Sequence, residues 1–75
     1  MGTVFTPIAS DHLQGVHYEP ATSVLLIRFS DGSVYQYRNV PSSLFRKMLD
    51  AQPHPWSAVG RELRDKVRYG GIRVS

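Results

Sequence analysis

The sequence predicts an α+β domain, in which an antiparallel three-stranded meander precedes two helices packed on one face of the sheet. Three observations support this prediction. Apolar residues first recur at every second position, an Asp-Gly pair then marks a turn, and the later apolar spacing is helical. Strands that precede helices in this way are typical of α+β proteins. With 75 residues we expect a single domain, whose core covers residues 10–73.

The first strand is expected over residues 13–18, after an arm or edge segment and before a turn at residues 19–23. Regular alternation along this strand would place Gln14, Val16 and Tyr18 on the same side. The alternation along this strand is therefore mixed between polar and apolar side chains.

Residues 24–30 carry the strongest strand pattern, and residues 33–38 form the return strand of a hairpin turned by Asp31-Gly32. The apolar face of the outgoing strand consists of Leu25, Ile27 and Phe29. We expect the opposite face of the hairpin to be mixed and partly exposed. It consists of Val24, Leu26, Arg28, Val34, Gln36 and Arg38.

The length of the turn decides which residues of this hairpin face each other. A two-residue turn would place polar side chains among the apolar ones, because a shift of one residue exchanges the faces of a strand. In a three-residue loop, Gly32 occupies the left-handed backbone that glycine adopts freely. Ile27 then lies opposite Tyr35, and Leu25 lies opposite Tyr37. This register gives one consistent apolar face, and we predict it.

Two amphipathic helices are expected after the hairpin. The first begins at Val40-Pro41, since proline suits the first helical turn, and it ends near Ala51 because Pro53 cannot continue it. Its apolar stripe consists of Leu44, Phe45, Met48 and Leu49. The second helix has a stripe composed of Trp56, Val59, Leu63 and Val67.

Two glycine positions add detail to the second half of the chain. Gly60 lies inside the second predicted helix, where glycine costs about 1 kcal/mol relative to alanine, so it indicates a close contact with another segment. Gly70-Gly71 interrupts the helical pattern, and the tail beyond it can form a short extra strand or a docked extended end.

The composition excludes several classes of protein. Because the chain has no cysteine, it has no disulfide scaffold, thiolate zinc site, cysteine nucleophile or iron–sulfur cluster. A secreted domain of this size usually needs disulfides, so we expect a cytoplasmic location. No apolar stretch approaches the roughly 18 residues that span a membrane. Residues 1–10 lack the basic and apolar regions of a signal peptide.

We expect neither an enzyme nor a metal or cofactor site. His12 and His17 would point to opposite faces of a strand and could not converge on one metal ion. No serine lies in a glycine-flanked nucleophile elbow. Gly70-Gly71 is not followed by the helix that a phosphate-binding loop requires.

The basic residues are concentrated in the second half of the chain. The net charge is +3, and eight of the nine basic residues lie within residues 38–75. Such a distribution favours a polyanionic partner. The densest group consists of Arg61, Arg64, Lys66, Arg68 and Arg73. On one continuous helix Arg61, Arg64 and Arg68 would form a stripe suited to phosphate. Alternatively, this is a solvated helix face on which Glu62 pairs with Lys66.

The aromatic residues also allow two interpretations. Tyr35 and Tyr37 either pack in the core beneath the helices, which the predicted register favours, or serve as stacking platforms for bases on an open sheet. Trp56 follows a proline-rich turn, and it is either an anchor of helix packing or a partly exposed contact.

The order of these features resembles the KTSC domain, a small family named for the C-terminus of some lysyl-tRNA synthetases and also found as stand-alone bacterial proteins. The resemblance covers residues 10–73, and its central motif is Tyr35-x-Tyr37. It is carried by Leu25, Ile27, Phe29, Gly32, Tyr35, Tyr37, Val40 and Pro41, with Val16 and Tyr18 before them and Leu63, Arg64, Tyr69 and Ile72 after them.

Residues 53–60 depart from the family pattern, in which a Ser-x-Gly-x-aromatic-Phe-Asn segment precedes the last helix. Val59-Gly60 occupies the place of the Phe-Asn pair. A role that this loop has in relatives is therefore not carried over to this chain.

Because no residue pattern supports an enzyme, we expect a small non-enzymatic binding module, and the synthetase appendage of the family suggests RNA as its partner. We predict that tRNA or unstructured RNA contacts the basic cluster, together with Arg28 and Arg38 on the open sheet face. The alternative is a protein-interaction module that docks through the same face or through Trp56. The resemblance assigns Tyr35 and Tyr37 to the family motif, and the predicted register favours a place in the core for both.

Overall fold

Antiparallel strands form one sheet in which each strand pairs with the next one along the chain. This computed structural model describes residues 5–10 and 12–75. In that part of the chain the strands are β1 (Thr6–Pro7), β2 (Leu13–Glu19), β3 (Val24–Phe29), β4 (Val34–Tyr37) and β5 (Ile72–Arg73). The helices are α1 (Ser42–Asp50), α2 (Pro55–Leu63) and α3 (Lys66–Tyr69).

The α+β prediction is confirmed, and the sheet is wider than the predicted meander. The arm before the first predicted strand supplies β1, which pairs with β2 at one edge. The tail supplies β5 at the other edge, as the extra C-terminal strand predicted from the sequence. Beyond β5, the Val74 N–H donates to the Val34 carbonyl oxygen at 2.8 Å, and this bond continues the pairing.

The β3–β4 hairpin has the predicted register. Ile27 lies opposite Tyr35, and Leu25 lies opposite Tyr37. The three-residue loop is closed by a 2.8 Å hydrogen bond from the Phe29 N–H to the Ser33 carbonyl oxygen. Gly32 has a φ of 90°, a backbone conformation that residues with a Cβ rarely adopt.

Strand β2 contains a bulge that the sequence pattern did not reveal. Leu13 pairs with Phe29, but Gly15 pairs with the adjacent Arg28, so Gln14 is an additional residue in β2. Leu13 is therefore buried, whereas Gln14 is exposed. The prediction that Gln14 shares a face with Val16 is wrong, because the bulge breaks the alternation between them.

The core lies between one face of the sheet and the helices, as predicted. From the sheet it includes Val16, Leu25 and Ile27, and from the helices it includes Met48 and Val59, all fully buried. Helix α1 keeps its predicted position, and its buried residues are Leu44 and Met48. Burial of these apolar side chains supplies the main stabilising free energy of the domain.

The second predicted helix is divided in two. Helix α2 ends at Leu63, and α3 begins after Asp65, whose Oδ1 accepts from the N–H groups of Val67 and Arg68 at 3.1 Å each. An aspartate in this position starts a new helix, because it satisfies N–H groups that have no carbonyl partner. Val67 is consequently 100% exposed, and the prediction that it continues the buried stripe is wrong.

The division of the helix can be tested by comparing Leu63→Ala with Val67→Ala. We expect Leu63→Ala to lower the free energy of unfolding by about 2–5 kcal/mol, because it leaves a cavity in the core. We expect Val67→Ala to change it by less than about 0.5 kcal/mol, because the side chain touches only solvent. Urea unfolding followed by circular dichroism measures both. Comparable losses would show that Val67 belongs to the buried stripe.

Candidate functional site

A cleft of about 500 Å³ lies between the β3–β4 hairpin and α2. Four aromatic rings line it, those of Phe29, Tyr35, Tyr37 and Trp56. Its polar lining consists of His12, Ser30, Asp31, Ser33 and Arg64. The hairpin register explains this arrangement, because it places both tyrosines on the sheet face that the helices cover only in part.

Phe29 connects the aromatic rings of the sheet to that of α2. Its ring meets Tyr35 edge to face, with ring centroids 5.5 Å apart, and it meets Trp56 in the same way at 5.1 Å. Aromatic pairs favour this geometry because the positive edge of one ring faces the negative face of the other. Phe29, Tyr35 and Trp56 are each half-buried. They therefore pack on the core and still present surface to the cleft.

Gly60 allows the Trp56 ring to lie against the backbone of α2. A Cβ on Gly60 would lie 2.8 Å from Cε2 of that ring, too close for any side chain without displacing it. The close contact predicted for Gly60 therefore exists, but the prediction that another segment makes it is wrong. Both residues lie within the segment that departs from the family pattern, so this departure supplies one wall of the cleft.

Tyr37 is the most enclosed of the four rings. Its side chain is buried, and a Cβ on Gly71 would lie 2.7 Å from its Cε1, so the tail closes directly over the ring. Burial and, to a smaller extent, nearby Tyr35 raise the pKa of the Tyr37 hydroxyl to about 12, although the positive charge of Arg64 opposes the increase. Sequence reasoning placed both tyrosines in the core, and Tyr35 in fact also faces the cleft.

Arg64 and Lys66 are cations that line the clefts beside the aromatic rings. Arg64 lies with its Cζ 6.0 Å from the centre of the Trp56 ring. It also lines an adjoining cleft of about 230 Å³ with Lys66, Tyr35 and Tyr37. Within residues 5–10 and 12–75, neither cation has a carboxylate at ion-pair distance. Glu62, a predicted partner of Lys66, instead pairs with Lys47 at 3.2 Å.

The other predicted cations are dispersed around the molecule. Arg73 lies opposite Tyr35 in the sheet, and its Nε donates to the Ser75 carbonyl oxygen at 3.0 Å. The Arg68 guanidinium lies 5.6 Å from the Tyr69 ring. Arg61 is exposed on α2. The predicted stripe of Arg61, Arg64 and Arg68 does not form, because the helix on which it depends ends at Leu63.

The two arginines predicted on the open sheet face are also separate from the cleft. Arg28 alternates with Ile27 along β3, and its Cζ lies 4.7 Å from the centre of the Phe5 ring. The Arg38 guanidinium lies against Gly70, beyond the end of β4. Neither residue lines the cleft between the hairpin and α2.

Asp31 is a lining residue that sequence reasoning treated only as part of a turn. Its Oδ1 accepts from the Ser33 hydroxyl at 2.6 Å and from the Ser33 N–H at 2.9 Å. These two hydrogen bonds lower the pKa of the Asp31 carboxyl, and the charge of Arg73 lowers it further. The signal in the sequence was the Asp-Gly-Ser order, since aspartate often bonds to the backbone two residues later.

Comparison with known proteins identifies the family. A family model of the KTSC domain matches residues 9–66. The chain belongs to the KTSC family. The crystal structure of a KTSC domain protein from Yersinia pestis aligns with a TM-score of 0.82 over 96% of this chain and 97% of that one, at 19% identity. A protein from Tsukamurella paurometabola is 35% identical over 46 residues, which cover 61% of this chain and 69% of the relative.

The family match confirms the resemblance seen in the sequence, and the structural match agrees in fold. The matched residues 9–66 include the Tyr-x-Tyr motif and the contact of Trp56 with Gly60 that forms one wall of the cleft. They end before the tail that covers Tyr37. No helix that the structure describes is long and apolar enough to cross a membrane. Among the same residues, no group of three or more metal-ligating side chains is assembled.

The pKa of Tyr37 predicts a dependence of stability on alkaline pH. The folded value is about 12, whereas an unperturbed tyrosine has a pKa of about 10. Its stabilising contribution is complete below about pH 10 and is lost as the pH rises towards 12, because the unfolded chain then releases this proton more easily. We expect Tyr37→Phe to lose less stability than the parent across this interval in urea unfolding. Parallel losses would mean that the hydroxyl ionises as freely as an exposed one.

Proposed function

We propose that this KTSC domain is a small binding module, not an enzyme, and that it holds single-stranded RNA in the cleft between the hairpin and α2. The observation that supports this proposal is the combination of aromatic rings with Arg64, a cation without a carboxylate partner in the described part of the chain. Proteins that bind single strands combine stacking rings with positive charge in this way.

The dimensions of the cleft favour an unpaired nucleotide over a duplex. A volume of about 500 Å³ lies within the range typical of sites for small ligands. The partly exposed rings of Trp56 and Tyr35 offer flat surfaces to a base that has left its stack. Stacking on an aromatic side chain is worth about 1–3 kcal/mol per base.

The charges beside the cleft favour a phosphate next to the base. Arg64 lines both clefts, and Lys66 lines the smaller one. In the smaller cleft the two cations therefore lie beside the rings of Tyr35 and Tyr37. A guanidinium binds phosphate through paired donors, and a lysine ammonium adds a point charge. The proposed phosphate site is therefore this pair, which is smaller than the basic cluster predicted from the sequence.

A protein-docking module remains the second candidate. Ile72 and Val74 of the tail are 54% and 48% exposed, and exposed apolar side chains next to a sheet edge favour contact with another protein. This candidate and the RNA-binding one differ in their dependence on salt, because only the release of counterions from phosphates gives a steep slope.

The proposal predicts the salt dependence of RNA affinity. Each phosphate neutralised on a single strand contributes a slope of about −0.7 to the plot of log affinity against log salt concentration. We expect the double variant Arg64→Gln, Lys66→Gln to bind an unstructured RNA more weakly and to flatten this slope by about 1.4. Quenching of Trp56, the single tryptophan of the chain, measures the affinity across the salt series.

The matched control is the double variant Arg28→Gln, Arg46→Gln, which removes the same charge from exposed positions outside the cleft. It should retain a slope close to that of the parent. If both double variants flatten the salt slope equally, the RNA binds to general surface charge. That result would contradict binding in the cleft. Absence of binding by the parent at low salt would contradict the RNA proposal and leave the protein-docking candidate.

A further inference from the structure

One charge in the cleft is not explained by phosphate binding. The carboxylate of Asp31 lines the same 500 Å³ cleft as the four aromatic rings. A negative charge repels phosphate, so its presence restricts which part of a nucleotide can occupy that region. Asp31 lines only the larger cleft, whereas Arg64 also lines the smaller one.

We propose that the cleft selects guanine, and that the Asp31 carboxylate accepts hydrogen bonds from N1–H and the N2 amino group of the base. This inference rests on the proposed function, since it assigns the base in the same site. The base would stack on Trp56 and Tyr35, and its phosphate would lie at Arg64 and Lys66.

The hydrogen-bonding edges of the four bases explain the choice. An ionised carboxylate can only accept hydrogen bonds, and Oδ2 of Asp31, the oxygen that Ser33 does not occupy, has two lone pairs with which to do so. On the Watson–Crick edge, guanine presents two neighbouring donors, N1–H and the N2 amino group. Adenine and cytosine present one amino group beside a ring nitrogen acceptor, and uracil presents one N–H between two carbonyl oxygens. These acceptors would face the carboxylate oxygen and repel it, so guanine alone offers Oδ2 two neighbouring donors and no acceptor beside them.

The local structure keeps Asp31 in position to do this. Its Oδ1 is held by the hydroxyl and the N–H of Ser33, and these two bonds leave Oδ2 to accept from a base. A carboxylate held in this way binds a donor with little further loss of side-chain freedom. The same hydrogen bonds lower the pKa of Asp31, so the group is an acceptor at neutral pH.

Arg73 and His12 also contribute to the polar surroundings of Asp31. The charge of Arg73 acts on Asp31, and its Nε is engaged by the Ser75 carbonyl oxygen, so part of the negative charge is compensated within the protein. The backbone carbonyl of His12 accepts from the Ser30 N–H at 2.9 Å, which keeps His12 beside the hairpin loop.

The test uses short oligouridines in which one central position is G, A, C or U, titrated against the protein with Trp56 quenching as the signal. We expect the oligomer with G to bind about tenfold more tightly than the other three, which corresponds to one well-made paired contact. Asp31→Asn should remove this preference, because an amide offers one donor in place of an acceptor, while its oxygen can still bond to Ser33. Asp50→Asn, which makes the same charge change on α1 outside the cleft, should preserve it.

The outcomes separate this inference from the proposed function. Binding of all four oligomers with equal affinity and the expected salt slope would overturn guanine selection and leave RNA binding intact. If Asp31→Asn tightens all four equally and leaves their ratios unchanged, Asp31 is only a repulsive charge and the inference is wrong. Guanosine monophosphate should bind more weakly than the G-containing oligomer, and equal affinity would overturn an RNA strand as the ligand.

Discussion

The three-residue loop between β3 and β4 sets the positions of most other parts of the domain. Gly32 can adopt the positive φ that this loop needs, and the resulting register places Ile27 opposite Tyr35. A shift by one residue would bring Arg28 to the side of the helices, because neighbouring residues of a strand point to opposite faces. The burial of one apolar face and the geometry of one turn therefore favour the same pairing, and both the core and the cleft depend on it.

The sequence predicted those features that follow from repeated local patterns. Alternation along β3 and the helical spacing of α1 each extend over enough residues to be distinguished from chance. The bulge at Gln14 and the division of the last helix at Asp65 each arise from one residue that breaks a pattern. The Asp65 side chain bonds to backbone N–H groups, and such a bond competes with the hydrogen bonds of a continuous helix. The apolar spacing of the sequence continues past Asp65 and so does not reveal this interruption.

The cleft was harder to predict because its walls come from distant parts of the chain. The tyrosine motif and Arg64 were recognised as candidates, but they were assigned to different surfaces. The contact between Trp56 and Phe29 joins α2 to β3, and sequence spacing does not reveal contacts of that kind. Asp31 was recognised as a turn residue, which it is, and the same turn brings its carboxylate to the edge of the aromatic rings.

The two tyrosines of the family motif have different environments although they lie on the same face of β4. Tyr37 is covered by Gly71 of the tail and is buried, so its ring belongs to the core. Tyr35 lies one pleat nearer to the hairpin loop, opposite Arg73, and remains half-buried. Tyr37 therefore matches the core interpretation of this motif, whereas Tyr35 packs on the core and also lines the cleft. A domain of this size has few apolar side chains to bury, so rings that pack on the core also line the cleft. A change at Tyr35 is expected to affect the cleft more than the fold, whereas a change at Tyr37 affects the fold first.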